Sequence, residues 1–230
     1  MNAPSSWETY LVTDRTVSRG RSTLEIVMAA AAGGISAVQL RAKELSTRIL
    51  YEEALKIRDF LRSSRTPLIV NDRVDLALAL DADGVHLGQN DIPVKIARRI
   101  LGPDRTIGLS VEQPTQINDE AETYADYLGI SPIFLTSTKP ELNSAWGLEG
   151  LRQARAMTGL PLVAIGSIKL ENAREVISAG ADCVAVVTAI VAADDPAEAT
   201  RLLLSEVKAG KRDRSEALRQ LRCRNTDGDL

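Results

Sequence analysis

Eight short apolar runs recur along the chain, each separated from the next by a segment with helical spacing, and this alternation limits the fold more than any other feature. The runs cover residues 10–12, 37–40, 67–70, 84–87, 107–110, 127–134, 162–166 and 183–188. Between them the apolar positions switch to the period of a helix. Leu24, Val27, Met28 and Ala31 form one stripe, and Ile49, Leu50, Ile57 and Leu61 form another. Ser22 with Glu25 reads as a capping box, and Asp195 before Pro196 as an N-cap followed by proline at the first helical position.

Strands that alternate with helices pair in parallel, and runs apolar on both faces are what a sheet covered on both sides requires. Eight such units in roughly 200 residues fit a closed (β/α)8 barrel, an α/β TIM barrel in a single domain. An open doubly wound sheet is the alternative. The barrel is expected over residues 8–205, with 206–230 as a charged C-terminal tail. That tail reads as a solvated or frayed end, although Leu218 and Leu221 would allow a helical extension. Its cations, Lys211, Arg212, Arg214, Arg219, Arg222 and Arg224, are interleaved with acidic residues, which favours solvent over a partner.

The chain's 230 residues are ample for a substantial core, with 44% hydrophobic and 26% charged residues. A formal net charge of -3 supplies no global basic field, so nucleic acid is not an expected partner. No apolar run approaches the roughly 18–20 residues of a membrane helix. The N-terminus lacks a basic region followed by a long apolar stretch, so no signal peptide is expected and the cytoplasm is the default location. Cys183 and Cys223 have neither metal-ligand nor redox spacing, and Cys183 sits in an apolar run as a small core residue. The sequence is compatible with a homo-oligomer.

One strand breaks the apolar pattern. In "VQLRAK", Gln39, Arg41 and Lys43 alternate with Val38, Leu40 and Ala42, so an amide and two cations share one face. In a barrel, chemistry sits where the strands end, and the other strand ends are polar as well. The third run ends in Asn71 and Asp72, and the fourth leads into His86, Gln89 and Asp91. The fifth ends at Ser110, and the sixth runs into Thr136, Ser137, Thr138 and Lys139. The last two end in "IGS" and "VVT", residues 165–167 and 186–188.

Two carboxylates at adjacent strand ends, Asp72 and Asp91, suit a hard cation such as Mg²⁺, which takes one or two carboxylates plus substrate phosphate. Arg41, Lys43 and Lys139 with the hydroxyls of 136–138 suit a ligand with several phosphate oxygens. The last two strand ends fit the backbone phosphate site that barrels build there. Each residue taken alone has a plainer reading. A single Asp after a strand is more often a helix N-cap, so Asp72 would cap the segment from Arg73 and Asp91 the helix near Pro93. Arg41 and Lys43 would pair with Glu44 or Glu52 on a solvated rim. His86, the only histidine, is more often a packed core residue than a catalyst. Their convergence on one end of the barrel favours the functional reading, and periodicity and spacing alone stop at an anion.

The segments "QLRAK", "VNDRVDLALALDADGVHLGQND", "SPIFLTSTK" and "AIGSI" resemble, in order and spacing, the signature segments of thiamine phosphate synthases over about residues 10–200. The resemblance implies a (β/α)8 barrel and a Mg²⁺-dependent transferase. Such an enzyme joins 4-amino-5-hydroxymethyl-2-methylpyrimidine diphosphate to a thiazole phosphate, giving thiamine phosphate and pyrophosphate. It implies that Gln39, Arg41, Lys43 and Asn71 contact the pyrimidine diphosphate, and that Asp72 and Asp91 hold Mg²⁺. Ser110 matches a substrate-contacting serine, and Lys139 a lysine on the diphosphate. Thr136, Ser137 and Thr138 match the loop meeting the thiazole phosphate, while Gly166 or Ser167 with Val187 and Thr188 match its backbone cradle. Arg41, Lys43 and Lys139 are the residues expected to assist catalysis. The sequence departs from the family at Ser131 in place of glycine, Leu135 in place of proline, and Ser167 in place of a second glycine. Glu112 stands where many members have histidine or threonine. Two other readings are a related thiazole tautomerase and a non-catalytic barrel that binds thiazole phosphate or thiamine phosphate. Tautomerase-like relatives lack the aspartates and use a histidine after strand five, which favours the synthase here.

Overall fold

The capping signals in the sequence are realised as hydrogen bonds in the computed structural model, which describes residues 3–42, 44–135 and 145–226, the last six of these by backbone alone. Ser22 Oγ accepts the Glu25 N–H at 3.2 Å, while Glu25 Oε2 accepts the Ser22 N–H at 2.8 Å. Asp195 accepts the N–H groups of Ala197 and Glu198 at 2.9 and 3.0 Å, and these bonds hold its carboxyl below the ordinary aspartate range. Each cap satisfies donors that a helix start otherwise leaves unpaired.

The first half of the chain runs β1 (Thr9–Val12), α1 (Thr23–Ala32), β2 (Ala37–Leu40), α2 (Thr47–Ser64), β3 (Leu68–Asn71), α3 (Val74–Ala79), β4 (Gly84–Leu87) and α4 (Val94–Leu101). The second runs β5 (Thr106–Val111), α5 (Asp119–Tyr124), β6 (Tyr127–Ile130), α6 (Gly147–Met157), β7 (Leu162–Ile165) and α7 (Leu170–Ser178). It ends with β8 (Cys183–Val186), α8 (Thr188–Val191) and α9 (Pro196–Thr226). Neighbouring strands pair in parallel and in sequence order, and β8 pairs with β1, so the sheet closes on itself. The expected (β/α)8 barrel is therefore observed, and the open sheet is excluded. The sixth run stops at Ile130 rather than continuing to 134, because Pro132 has no N–H to carry a ladder forward.

Residue parity along each strand separates two cores. Leu11, Val38, Leu40, Leu68 and Val70 face outward and pack with buried helix residues such as Ile26, Leu50 and Ile57. Trp7, Tyr10, Ala37, Ile69, Tyr127 and Cys183 fill the barrel interior. Three large rings fit there because their neighbours are small. Trp7 packs edge-on against Tyr10 and Tyr127 with centroids 5.3 Å apart in both pairs. On the ladder, Gly108 lies between His86 of β4 and Tyr127 of β5's other neighbour, β6. Cys183 is fully buried, and burial pushes its thiol well above the ordinary range, as a small packed core residue requires.

Of the two forms expected for the tail from residue 206, a solvated or frayed end and a helical extension, the helix is observed, with α9 continuing to Thr226. Val207 is buried, and a Cβ at Gly210 would lie 2.5 Å from the Arg174 carbonyl oxygen of α7. Arg214 donates to the Ala181 carbonyl and Asp182, and Arg174 makes two bonds to Asp213. Spacings of three and four residues keep Val207, Gly210 and Arg214 on one helix face, so the stretch packs without an apolar stripe. Among the described residues no helix is long and apolar enough to cross a membrane.

Candidate active site

The mouth at the C-terminal ends of the strands opens into a cavity of about 370 Å³. Gln39, Arg41, Asn71 and Ser110 line one side, and Gly166, Val187 and Thr188 line another. Seven of the residues expected at the site thus share one cavity. Lys43, Thr136, Ser137, Thr138 and Lys139 lie outside the described residues.

In β2, Gln39 points into the barrel, and its Nε2 donates to the Tyr10 hydroxyl at 3.1 Å. Val38 and Leu40 face the helices, as the alternation in "VQLRAK" predicts. Arg41 follows the strand, and the Thr13 hydroxyl clasps its backbone by accepting the Arg41 N–H at 2.9 Å and donating to its carbonyl at 3.2 Å. Its guanidinium meets Asp14 at 3.1 Å rather than Glu44 or Glu52. Glu52 is paired with Arg48, one turn away on its own helix. Asp14 is largely buried and also accepts the Thr16 N–H and hydroxyl, so it anchors Arg41 at the cavity edge. Sequence reading missed Asp14. Its signal is an acidic residue two positions past an apolar strand end, opposite the cationic strand end of β2.

The aspartates stand on the adjacent strand ends and are not helix caps. The N-cap of α3 is Arg73 and that of α4 is Pro93, and neither helix has a side-chain cap bond. Asp72 continues the β3–β4 ladder, its N–H donating to the His86 carbonyl at 2.8 Å. It does so at φ 62°, a left-handed conformation that non-glycine residues adopt at a cost, and such positions concentrate at functional sites. Asp91 Oδ2 accepts the Gly88 N–H at 2.6 Å and borders a second cavity of about 210 Å³. The two carboxylates therefore flank the main cavity rather than line it. Among the described residues no group of three or more His, Cys, Asp or Glu side chains could hold a metal ion. Two carboxylates with the Asn71 amide fit Mg²⁺, because that ion keeps waters and takes substrate phosphate oxygens instead of a full protein cage.

His86 is packed and hydrogen-bonded. Its Nδ1 lies 2.9 Å from the Tyr127 hydroxyl and its Nε2 2.8 Å from Ser110 Oγ. Gly166 at φ 112° and Ser167 at φ 50° turn the chain after β7. A Cβ on Gly166 would lie 2.8 Å from Pro132 Cα, so only glycine fits there, whereas Ser167 is accommodated and its hydroxyl donates to the Leu135 carbonyl at 2.7 Å.

A family model described as thiamine monophosphate synthase matches residues 9–190 of the chain. The chain belongs to the thiamine monophosphate synthase family. The thiamine-phosphate synthase of Chloroflexus aurantiacus is 51% identical over 197 residues, covering 86% of this chain and 91% of the relative. That of Albidiferax ferrireducens is 52% identical over 200 residues, covering 87% and 91%. Among solved structures, the thiamine phosphate pyrophosphorylase of Pyrococcus furiosus superposes with a TM-score of 0.83 at 38% identity, covering 91% of this chain and 99% of the other. A 3-hexulose-6-phosphate synthase at 17% identity and a TM-score of 0.60 shares the barrel alone.

Proposed function

We propose that this member of the thiamine monophosphate synthase family condenses 4-amino-5-hydroxymethyl-2-methylpyrimidine diphosphate with a thiazole phosphate, using Mg²⁺. The observation that carries the reading is the pair of adjacent strand-end aspartates that cap no helix, flanking a cavity that holds Arg41. Arg41, Lys43 and Lys139 bind the diphosphate and offset the charge that grows as it departs. Mg²⁺ held by Asp72 and Asp91 would supply further neutralisation of that charge. Gln39, Asn71 and Ser110 grip the pyrimidine, whose amino group feeds electron density into the ring. The C–O bond to the diphosphate breaks with its electron pair leaving on oxygen, and the ring supports the resulting benzylic-type cation. The thiazole nitrogen then donates its lone pair to that carbon. Thr136, Ser137 and Thr138, with Gly166, Val187 and Thr188, hold the thiazole phosphate so that the nitrogen is aligned. No protein nucleophile takes part.

The test is pyrophosphate release measured with each substrate alone and with both, with and without Mg²⁺. Release that needs both substrates and the metal supports the synthase. Binding without release would make the chain a sensor-like barrel, and isomerisation of the thiazole alone would make it a tautomerase. Given the synthase, Asp14→Asn is expected to raise KM for the pyrimidine diphosphate about fivefold with a smaller change in kcat. It weakens a part-buried, charge-assisted bond that pre-orients Arg41 without touching the reacting atoms. An unchanged KM would show that the substrate orients Arg41 unaided.

A further inference from the structure

The barrel interior below the mouth holds an unbroken chain of hydrogen bonds. It runs from Gln39 Nε2 to the Tyr10 hydroxyl (3.1 Å), on to the Tyr127 hydroxyl (3.1 Å), to His86 Nδ1 (2.9 Å), and from His86 Nε2 to Ser110 Oγ (2.8 Å). The chain therefore links Gln39 on β2 to Ser110 on β5 through Tyr10 and His86, which border the cavity as they do, and through Tyr127 behind them. Its construction is specific. Tyr10 and Tyr127 are buried, and the His86 ring stacks on Tyr127 with centroids 5.5 Å apart. Two strand glycines make the room. A Cβ at Gly108 would lie 2.5 Å from His86 Nδ1, and one at Gly129 would lie 2.8 Å from His86 Cε1.

Hydrogen-bond chemistry gives this chain a direction. An amide NH₂ can only donate, so the Tyr10 oxygen accepts from Gln39. A phenol has one proton, and burial holds both tyrosines in the protonated form. Among the described residues the only other hydrogen-bond partner of the Tyr10 hydroxyl is Tyr127, so Tyr10 donates to Tyr127. The reverse arrangement would strand a buried phenol proton, which is costly. Tyr127 in turn donates to His86 Nδ1. A neutral imidazole carries one N–H, which must then be on Nε2, and it is given to Ser110. The Ser110 proton is left for a group in the cavity.

We propose that Tyr10, Tyr127 and His86 are positioning residues that fix Ser110 as a hydrogen-bond donor to an acceptor atom of the bound substrate. The proposal rests on the synthase reading for its substrate but not for the direction of the chain. Orientation set at Gln39 is transmitted across the barrel, so both walls of the mouth present a defined polarity before substrate arrives. A serine that is free to rotate could turn its proton either way, whereas the Ser110 proton is here directed away from His86 and offered to an acceptor in the cavity.

His86 is the only histidine in the sequence, so a long-range ¹H–¹⁵N spectrum of labelled protein shows one imidazole. Recorded where the ring is neutral, it is expected to show the Nε2–H form, with Nδ1 unprotonated and shifted by an accepted hydrogen bond. A ring protonated on Nδ1 would mean that the chain runs the other way, with Ser110 donating to His86, and would overturn the proposal. Tyr127→Phe is expected to remove the hydrogen-bond shift at Nδ1 and to lower kcat/KM about tenfold, the scale of one lost hydrogen bond. Ser110→Ala should lose a similar factor, and the double variant no more than Ser110→Ala alone, because Tyr127 acts through that serine. Losses that multiply would overturn the coupling. If the wild type proves inactive, the synthase reading fails, and the histidine spectrum still decides the direction of the chain.

Discussion

Asp72→Asn is expected to cut Mg²⁺-dependent pyrophosphate release by roughly a hundred- to a thousandfold while the far-ultraviolet circular dichroism and melting temperature stay near those of the wild type. The size follows from the several kcal/mol that a bound cation contributes to a transition state that expels a highly charged group. Asparagine is the informative replacement. Asp72 sits at φ 62°, which asparagine tolerates and alanine does not, so the amide removes charge with little added backbone strain. The backbone bond from Asp72 N–H to the His86 carbonyl at 2.8 Å is untouched by the change. Asp72→Ala would mix loss of the ligand with a conformational cost of about 1 kcal/mol. A metal ligand also predicts that the Mg²⁺ concentration for half-maximal rate rises, which a residue needed only for the fold would not move. Near-normal turnover of Asp72→Asn at the wild-type Mg²⁺ requirement would remove Asp72 from the metal site.

The parts of this structure that were legible in the sequence are those written in local periodicity. Strand and helix alternation, the capping box at Ser22 and the N-cap at Asp195 are set by residues within a few positions of each other, and all are observed. The barrel mouth was legible for a related reason. Once strands are assigned, the residues after them share one end of the barrel by topology, which brings Gln39, Arg41, Asn71 and Ser110 to a common cavity. What escaped depends on pairing across the barrel. Asp14 reads locally as a turn residue, and its pairing with Arg41 follows only from the β1–β2 register. Tyr10 and Tyr127 read as core aromatics, and a bond between side chains 117 residues apart has no local signature. The clue was present in negative form. Glycine weakens a strand, so Gly108 and Gly129 inside strands signal that something bulky approaches the backbone there. The packing of the tail escaped for the opposite reason, since Gly210 and Arg214 pack by close approach and hydrogen bonding rather than through an apolar stripe.

Gly108→Ala is expected to be among the most destabilising single substitutions available to this chain, and it probes the floor of the mouth directly. A Cβ at this position would lie 2.1 Å from Tyr127 Cζ, 2.4 Å from Tyr127 Oη and 2.5 Å from His86 Nδ1. None of these atoms can retreat cheaply. Tyr127 is fully buried with Trp7 against it at a centroid distance of 5.3 Å, and His86 is held at both ring nitrogens. Overpacking a core by one methyl costs about 1–3 kcal/mol, and displacing either ring also breaks hydrogen bonds worth about 1 kcal/mol each. A loss of about 3–5 kcal/mol follows, or a melting temperature lower by roughly 10 °C for a chain of this size. Gly102→Ala is the control. Unlike Gly108 it sits at positive φ, 75°, where alanine carries a backbone cost of roughly 1–3 kcal/mol, but a Cβ there meets nothing within 4 Å, so no packing cost is added. Adding Tyr127→Phe to Gly108→Ala should not restore stability, because the nearest clash is with the ring carbon and not with the hydroxyl. If Gly108→Ala melts no lower than Gly102→Ala, the rings have space to shift, and the floor under Ser110 is not the close-packed, hydrogen-bonded layer that its geometry implies.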